Sequence, residues 1–391
     1  MRSTDERTSD KPSKARSTMK SDNTSRGSLH HLPLAAVLAA ILAIPVPVEA
    51  QYFGRNKVQY DDFDFRVLET DHFDLHHYPE EAKAVDDVAR MAERWYERYA
   101  RAFQHEFEQK KPLIIYADHP DFQQTNILQG FVGEATGGVT ESLKNRVIMP
   151  LTGSYADTDH VLGHELVHAF QYNIAQSRRG GGLRGLSTLP LWLIEGMAEY
   201  LSVGREDPLT GMWLRDAIRN DDFPTIRQMT REQRFFPYRF GQALWAYIGG
   251  TYGDDAVTQI FRRSLRIGFQ PAIGQVLGLS TDSLSAQWRR AVEQQFVPLM
   301  TGRTGPEEVG TGLITKETEG GRQNISPSLS PDGRFIAFLS EKDLFSVDLY
   351  LADARTGEVI RKLSSANASP HIDALRYVES SGTWSPDGQY F

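Results

Sequence analysis

The sequence predicts an α+β fold in which a small mixed sheet packs against helices. Two patterns before residue 300 lead to this prediction. Strand-like segments, short and either apolar or alternating, occur at 65–78, 112–116 and 138–149. Elsewhere apolar residues recur at helical spacing, from Glu80 to about Gln109 and from Asp157 to about Phe296. A sheet with a long helix on it, followed by a helical subdomain, accounts for both patterns.

A third observation concerns the chain beyond Pro306, where the character of the sequence changes. Residues 325–363 are strand-like and turn-rich, and the tetrapeptide Ser-Pro-Asp-Gly at 330–333 returns at 385–388. Pro-Asp-Gly strongly favours a turn, and its return after about one blade length predicts a β-propeller repeat. One blade and the start of another cannot close a propeller, so we expect this segment to belong to a longer one.

Composition narrows the chemistry that the chain can perform. Its 391 residues carry a formal net charge of -8 and include no cysteine. A nucleic-acid partner is not expected, because no region has the dense Lys and Arg clusters that phosphate binding needs. Disulfides, thiolate metal sites and cysteine nucleophiles are excluded, so a metal would bind to histidine and carboxylate side chains.

Residues 1–50 are typical of an export signal. A short apolar run occupies 32–46, and the small residues before Gln51 predict cleavage at that position. Met19 is an alternative start that would give the signal a more usual length. The competing interpretation is an N-terminal anchor helix that is kept. Either way we expect the mature chain outside the cytoplasm, in the periplasm, the medium or the cell envelope.

The central chemical motif is His164-Glu165-Leu166-Val167-His168. Residues four apart share one face of a helix, so both imidazoles can reach one ion while Glu165 faces the water that the ion activates. Imidazole suits zinc, and three protein ligands leave a fourth position open. The alternative is a polar helix face with two exposed histidines, which the apolar flanking residues disfavour. His160 is predicted to be a bystander, because no additional ligand is needed.

A second predicted helix contains two acids in an apolar setting, within the sequence Trp-Leu-Ile-Glu-Gly-Met-Ala-Glu-Tyr at 192–200. An unpaired carboxylate at Glu195 would be unfavourable among these neighbours, and metal ligation removes that problem. Glu199, one turn later on the same face, is placed to hydrogen-bond a ligand histidine. The alternative is a salt-bridged pair of acids at the surface, which explains their apolar neighbours poorly.

Together, His-Glu-x-x-His and the helix Trp-Leu-x-Glu-Gly-x-Ala-Glu-Tyr resemble the gluzincin metallopeptidases, most of all their peptidase-MA-like bacterial members. The resemblance covers roughly Tyr60 to Phe296. It implies a thermolysin-like domain with zinc on His164, His168 and Glu195. The segment after 325 resembles the repeats of TolB-like propellers, whose blades commonly act as binding platforms or substrate gates.

The resemblance also suggests residues that would contact substrate. Gluzincins usually supply a tyrosine or histidine that stabilises the oxyanion, and Tyr238 resembles that tyrosine, although a core or surface tyrosine explains it equally well. Gly138 and Glu141 lie where gluzincins have an edge strand that pairs with extended substrate. In aminopeptidases a glutamate there binds the substrate's amino terminus. Glu141 would take that role, but the residue order differs from the usual aminopeptidase signature.

These expectations combine into a predicted function, hydrolysis of peptide bonds in peptides or proteins by water that Zn2+ activates, with Glu165 as general base. The predicted division of the chain is a signal peptide at 1–50, a gluzincin domain at 51–300, a linker at 301–324 and a partial propeller at 325–391. The competing hypothesis is a non-catalytic envelope scaffold, with an inactive gluzincin domain and a propeller that binds an envelope protein.

Overall fold

The structure is a computed structural model, and it describes residues 59–128, 132–133, 136–177, 182–343, 347–364 and 382–391. All the elements below belong to one unit, Gly54–Phe391. The predicted signal peptide and its cleavage position lie outside the described residues. None of the helices described has the length and apolar character that a membrane crossing requires.

The first sheet is mixed and has five strands in the order β1-β2-β3-β5-β4. The strands are β1 (Arg66–Glu69), β2 (Phe73–His77), β3 (Lys111–Tyr116), β4 (Val139–Glu141) and β5 (Arg146–Pro150). β2, β3 and β5 run parallel, whereas β1 and β4 pair antiparallel with their neighbours. The edge strand β4 therefore has one side that the sheet leaves unpaired. The predicted strand segments are confirmed, including the hairpin of β4 and β5.

Two of the α-helices described lie between strands of this sheet along the chain, and the others follow its last strand. The α-helices are α1 (Val85–Phe103), α2 (His119–Gln123), α3 (Tyr155–Gln176), α4 (Gly182–Ser187), α5 (Leu191–Val203), α6 (Pro208–Arg219), α7 (Ile226–Arg231), α8 (Pro237–Tyr252), α9 (Asp254–Ile267), α10 (Phe269–Leu277), α11 (Thr281–Met300) and α12 (Pro306–Val309). The long helices lie where the apolar spacing predicts them. The short helices α2, α4, α7, α10 and α12 were not predicted as separate helices, since each is too short to show a clear helical period.

Close contact between α1 and α3 fixes the helix that carries the His-Glu-x-x-His motif. A Cβ on Gly163 would lie 2.8 Å from Cε2 of Trp95, so only glycine lets the indole lie against α3. The Tyr99 hydroxyl donates to the Gly163 carbonyl at 3.0 Å, and the Trp95 indole N–H donates to the Asp159 carboxylate at 2.9 Å. These contacts fix α3 at Gly163, the residue directly before the motif histidine His164.

A second close crossing sets α5 against α8. A Cβ on Gly196 would lie 2.4 Å from the Gly241 backbone, and a Cβ on Gly241 would lie 2.4 Å from the Trp192 carbonyl. No larger side chain fits at either position. Gly196, which follows Glu195, thus allows α8, which begins with Pro237 and Tyr238, to pack closely against α5.

The second sheet has four antiparallel strands in the order β6-β7-β8-β9. They are β6 (Asn324–Leu329), β7 (Phe335–Ser340), β8 (Asp348–Asp353) and β9 (Val359–Ser364). Together, the two sheets and the helices form a mixed α+β structure. The described residues of this part hold one such sheet and do not form a closed propeller.

Both Ser-Pro-Asp-Gly segments form the same turn. In each, the serine hydroxyl donates to the aspartate two residues on, at 2.7 Å from Ser330 and 2.6 Å from Ser385. Each serine oxygen also accepts a backbone N–H from five residues further, at 2.9 Å in both copies. The glycines Gly333 and Gly388 have φ of +71° and +70°, a conformation that favours glycine. The sequence repeat is therefore a structural repeat.

Candidate metal centre

Three side chains from α3 and α5 converge on one point. His164 Nε2 and His168 Nε2 lie 3.2 Å apart, and Glu195 Oε2 lies 3.3 Å from the first and 3.1 Å from the second. Both histidines are buried, and Glu195 is largely buried. These three residues could hold a metal ion.

The donor atoms and their spacing fit an ion with short bonds. A tetrahedral ion with bonds of about 2.0–2.1 Å has neighbouring ligand atoms about 3.3–3.4 Å apart. The three observed separations lie at or just below this range. The two imidazoles also turn their other nitrogens toward oxygen atoms: His168 Nδ1 lies 2.9 Å from Gln171 Oε1, and His164 Nδ1 lies 3.2 Å from Glu199 Oε1. With the proton on Nδ1, each Nε2 lone pair faces the shared point.

The electrostatics of the cluster favour a cation. Burial lowers the pKa of His164, but the carboxylates of Glu195 and Glu199 outweigh this effect and raise it to about 10. Burial raises the pKa of Glu195, but His168 and His164 outweigh it, and the pKa lies well below its usual range. The site thus attracts positive charge, which a metal ion or a proton can supply.

Glu199 is held by three further side chains. Its Oε1 lies 3.2 Å from His164 Nδ1 and 3.5 Å from His160 Nε2. Its Oε2 lies 3.3 Å from Arg239 Nη1, which also contacts Asp207 Oδ2 at 3.1 Å. His160, predicted to be a bystander, is not among the three residues that could hold a metal ion, but its ring contacts Glu199, which lies beside His164. The sequence signal for this contact is the position of His160 one helical turn before His164.

Glu165 lies beside the three ligand residues, between α3 and the edge strand. Its side chain is 7% exposed, and Oε2 lies 2.7 Å from Thr140 Oγ1. A Cβ on Gly138 would lie 2.9 Å from Glu165 Cγ, so glycine allows the backbone before β4 to approach this acid closely. Glu165 is thus fixed by the edge strand and faces the same cavity as His164.

This cavity has a volume of about 430 Å³. It is lined by Thr136, Gly137, Gly138, His160, Val161, His164, Glu165, Glu199, Phe236, Tyr238 and Arg239. The Tyr238 ring stacks on the His164 ring with centroids 5.7 Å apart and planes 18° from parallel. Burial, and then the nearby carboxylate of Glu195, raise the pKa of Tyr238. The fold thus places Tyr238 in the cavity, in contact with His164.

Glu141 has a different position. Side chains alternate along a strand, and Thr140 points to Glu165, so the side chains of Val139 and Glu141 leave the strand on the other face. The Glu141 carboxylate accepts from the backbone N–H of Leu143 at 2.9 Å and of Lys144 at 3.1 Å. It also lies 3.3 Å from Arg146 Nε. These contacts hold it to its own hairpin turn, away from the lining of the cavity.

Three polar residues of the site were not predicted from the sequence. Gln171 is fully buried and joins His168 to the Ile194 carbonyl of α5, to which its Nε2 donates at 3.2 Å. Its spacing of three residues from His168 on α3 is a usable signal. Thr140 and Arg239 come from distant segments, and only the fold brings them to Glu165 and Glu199.

Comparison with known proteins yields a partial link to peptidases. No family model matches the chain. A stretch of 82 residues is 34% identical to the uncharacterized peptidase YuxL of Bacillus subtilis (strain 168). It covers 21% of this chain and 11% of that protein, so the chain spans about a tenth of the relative it matches. The likeness is to a protein named a peptidase, and the geometry of the metal centre is independent of it.

Proposed function

We propose that this chain is an exported zinc metallopeptidase of the gluzincin type. The observation that carries the proposal is the convergence of His164 Nε2, His168 Nε2 and Glu195 Oε2 within 3.1–3.3 Å of one another. The partial likeness to a named peptidase supports the same reaction class. A thermolysin-like arrangement of the five-stranded sheet and its helices is part of this proposal.

The donor set favours zinc. Two imidazole nitrogens and one carboxylate are ligands typical of catalytic zinc, whereas calcium and magnesium prefer oxygen ligands throughout. Zinc at such a site polarises a carbonyl and lowers the pKa of water to about 7. His164, His168 and Glu195 would hold it, and Gln171 and Glu199 would fix the two histidines in the required tautomer.

The remaining side chains have roles that follow from their positions. Glu165 takes the proton from the attacking water and passes it to the leaving amine, and Thr140 keeps its carboxylate in one rotamer. Tyr238 keeps its proton at neutral pH, as a phenol does, and donates a hydrogen bond to the developing oxyanion. The free side of β4 offers backbone groups to a substrate in extended conformation, and Gly138 lets that backbone pass close to Glu165.

The four-stranded sheet and the repeated turns support a propeller as the second part of the proposal. Four antiparallel strands are the size of one blade. The non-catalytic scaffold hypothesis rests on this part of the chain. It proposes that the propeller segment binds an envelope protein. No contact in the metal centre favours that hypothesis, because Glu165 and the three ligand residues are competent for hydrolysis.

The proposal is tested by cleavage of a mixture of N-acetylated peptides with the purified, zinc-loaded chain. Glu165→Gln keeps the size of the side chain and removes the base, so we expect the rate to fall by about 10²–10⁴-fold while zinc content stays unchanged. Glu141→Gln is the matched control, because a role at a substrate amino terminus would not affect blocked peptides. We expect this control to cleave at the wild-type rate.

Equal cleavage by wild type and Glu165→Gln would refute the assigned base. Absence of cleavage by the zinc-loaded wild type, both of these peptides and of the same peptides with free amino termini, would favour the scaffold hypothesis instead.

A further inference from the structure

We propose that Phe236 and Trp213 form a subsite for an apolar, preferably aromatic, side chain of the substrate beside the cleaved bond. This inference rests on the proposed peptidase function and adds a substrate class to it. Its basis is a row of aromatic rings that leads from a metal ligand to the protein surface.

The row begins at the metal centre. The Tyr238 ring stacks on His164 at 5.7 Å, the Phe236 ring lies 5.1 Å from Tyr238, and the Trp213 ring lies 5.5 Å from Phe236. Phe236 and Tyr238 line the cavity of the metal centre, and Trp213 extends the same surface from α6. The rings are therefore continuous with the place where a substrate would be cleaved.

Two of these rings face water although they are large and apolar. Phe236 is 41% exposed and Trp213 is 38% exposed. A buried neighbour packs against Trp213, whose ring lies 6.0 Å from Phe240 at 87°; Phe240 is 4% exposed, and Phe236 packs between Trp213 and Tyr238. A fixed and exposed pair of aromatic rings next to a cavity is typical of a surface that an apolar ligand group covers.

The charges around the cavity decide which side chains fit. Arg239 is engaged by Glu199 and Asp207, at 3.3 and 3.1 Å, so its charge is already neutralised. Glu165 and Glu199 both line the cavity and repel an acidic group. An apolar side chain gains contact with the rings, whereas an acidic one at this position would meet the carboxylates of Glu165 and Glu199.

The experiment uses N-acetylated peptides that are identical except for one residue beside the cleaved bond, which is Phe, Ala or Asp. We expect kcat/KM to rank Phe above Ala above Asp. Phe236→Ala and Trp213→Ala should each lower kcat/KM for the Phe peptide by about 10- to 100-fold and lower it less for the Ala peptide, so that the ratio of the two values falls. Tyr60→Ala, which removes an aromatic ring that is 79% exposed elsewhere, is the matched control.

Binding separates this inference from the proposed function. Calorimetry on Glu165→Gln, which should bind peptides without cleaving them, should give a lower Kd for the Phe peptide than for the Ala peptide, and Phe236→Ala in that background should remove the difference. Cleavage without preference between Phe and Ala would overturn the subsite and leave the peptidase intact. A binding preference that depends on Phe236, without cleavage by wild type of either blocked or unblocked peptides, would support an apolar binding site at these rings but overturn the peptidase and the subsite's place beside a cleaved bond.

Discussion

Two groups of carboxylates lie inside the first part of the chain, one at the metal centre and one around Glu81. Glu81 is 1% exposed; its Oε2 accepts from the Tyr78 N–H at 2.5 Å, while Oε1 has no hydrogen-bond partner in the part of the chain that the structure describes. Burial raises the pKa of Glu81 to about 8, and the neighbouring acids Asp121 and Glu80 act in the same direction. This carboxyl is therefore protonated at neutral pH.

At the metal centre the outcome is the opposite. Burial raises the pKa of Glu199, but His160 and His164 outweigh it and hold the pKa well below its usual range. The difference comes from the partners and not from burial, because both acids are buried. The comparison teaches that charged carboxylates inside this protein mark a place arranged for positive charge, whereas Glu81 avoids its charge by keeping a proton.

Among the variants that test this comparison, we expect the largest effect, on zinc affinity, for a substitution of Glu199. Glu199→Gln keeps the size of the side chain but removes the negative charge beside His164 Nδ1, so the imidazole becomes a poorer ligand. We expect zinc affinity to fall by about 10- to 100-fold, measured by competition with a chromophoric chelator.

Glu97→Gln on α1 is the control, since that side chain is 68% exposed and contacts only Arg101 among the ion pairs. An unchanged zinc affinity in Glu199→Gln would show that this acid has no part in holding His164.

We expect a smaller effect, on the free energy of unfolding, for a substitution of Glu81. A carboxyl whose pKa is about 8 in the folded state, and near 4.5 when unfolded, holds its proton longer in the folded state. The unfolded state then binds fewer protons between these pH values, so the free energy of unfolding falls as pH rises through this window. Glu81→Gln should remove this contribution. Between pH 5 and 8, the free energy of unfolding of this variant should therefore decline by at least about 1 kcal/mol less than that of the wild type.

Urea unfolding at pH 5 and pH 8 measures this difference. Parallel decline of wild type and Glu81→Gln would contradict the assignment of a protonated carboxyl at neutral pH.

The elements that carry the ligands could be predicted from local pattern. His164 and His168 are one turn apart on a long helix, and Glu195 stands in an apolar helix, so both signals lie within a single element. The strand positions follow from the same local patterns.

Contacts between distant segments could not be predicted in this way. Thr140 meets Glu165 because β4 lies against α3, and Arg239 meets Glu199 because Gly196 and Gly241 let two helices touch. The exposure of Phe236 could not be predicted from the sequence either, since an aromatic residue before a helix is as easily buried as exposed.

The central claim is that His164, His168 and Glu195 hold a metal ion together, and metal content tests it most directly. The purified chain, exposed to zinc and then dialysed without chelator, should retain about one zinc per molecule, because the described residues include one group of three that could hold a metal ion. Glu195→Ala should retain sharply less, and Glu97→Ala should match the wild type. Equal zinc content in wild type and Glu195→Ala, or no zinc in the wild type, would contradict the account.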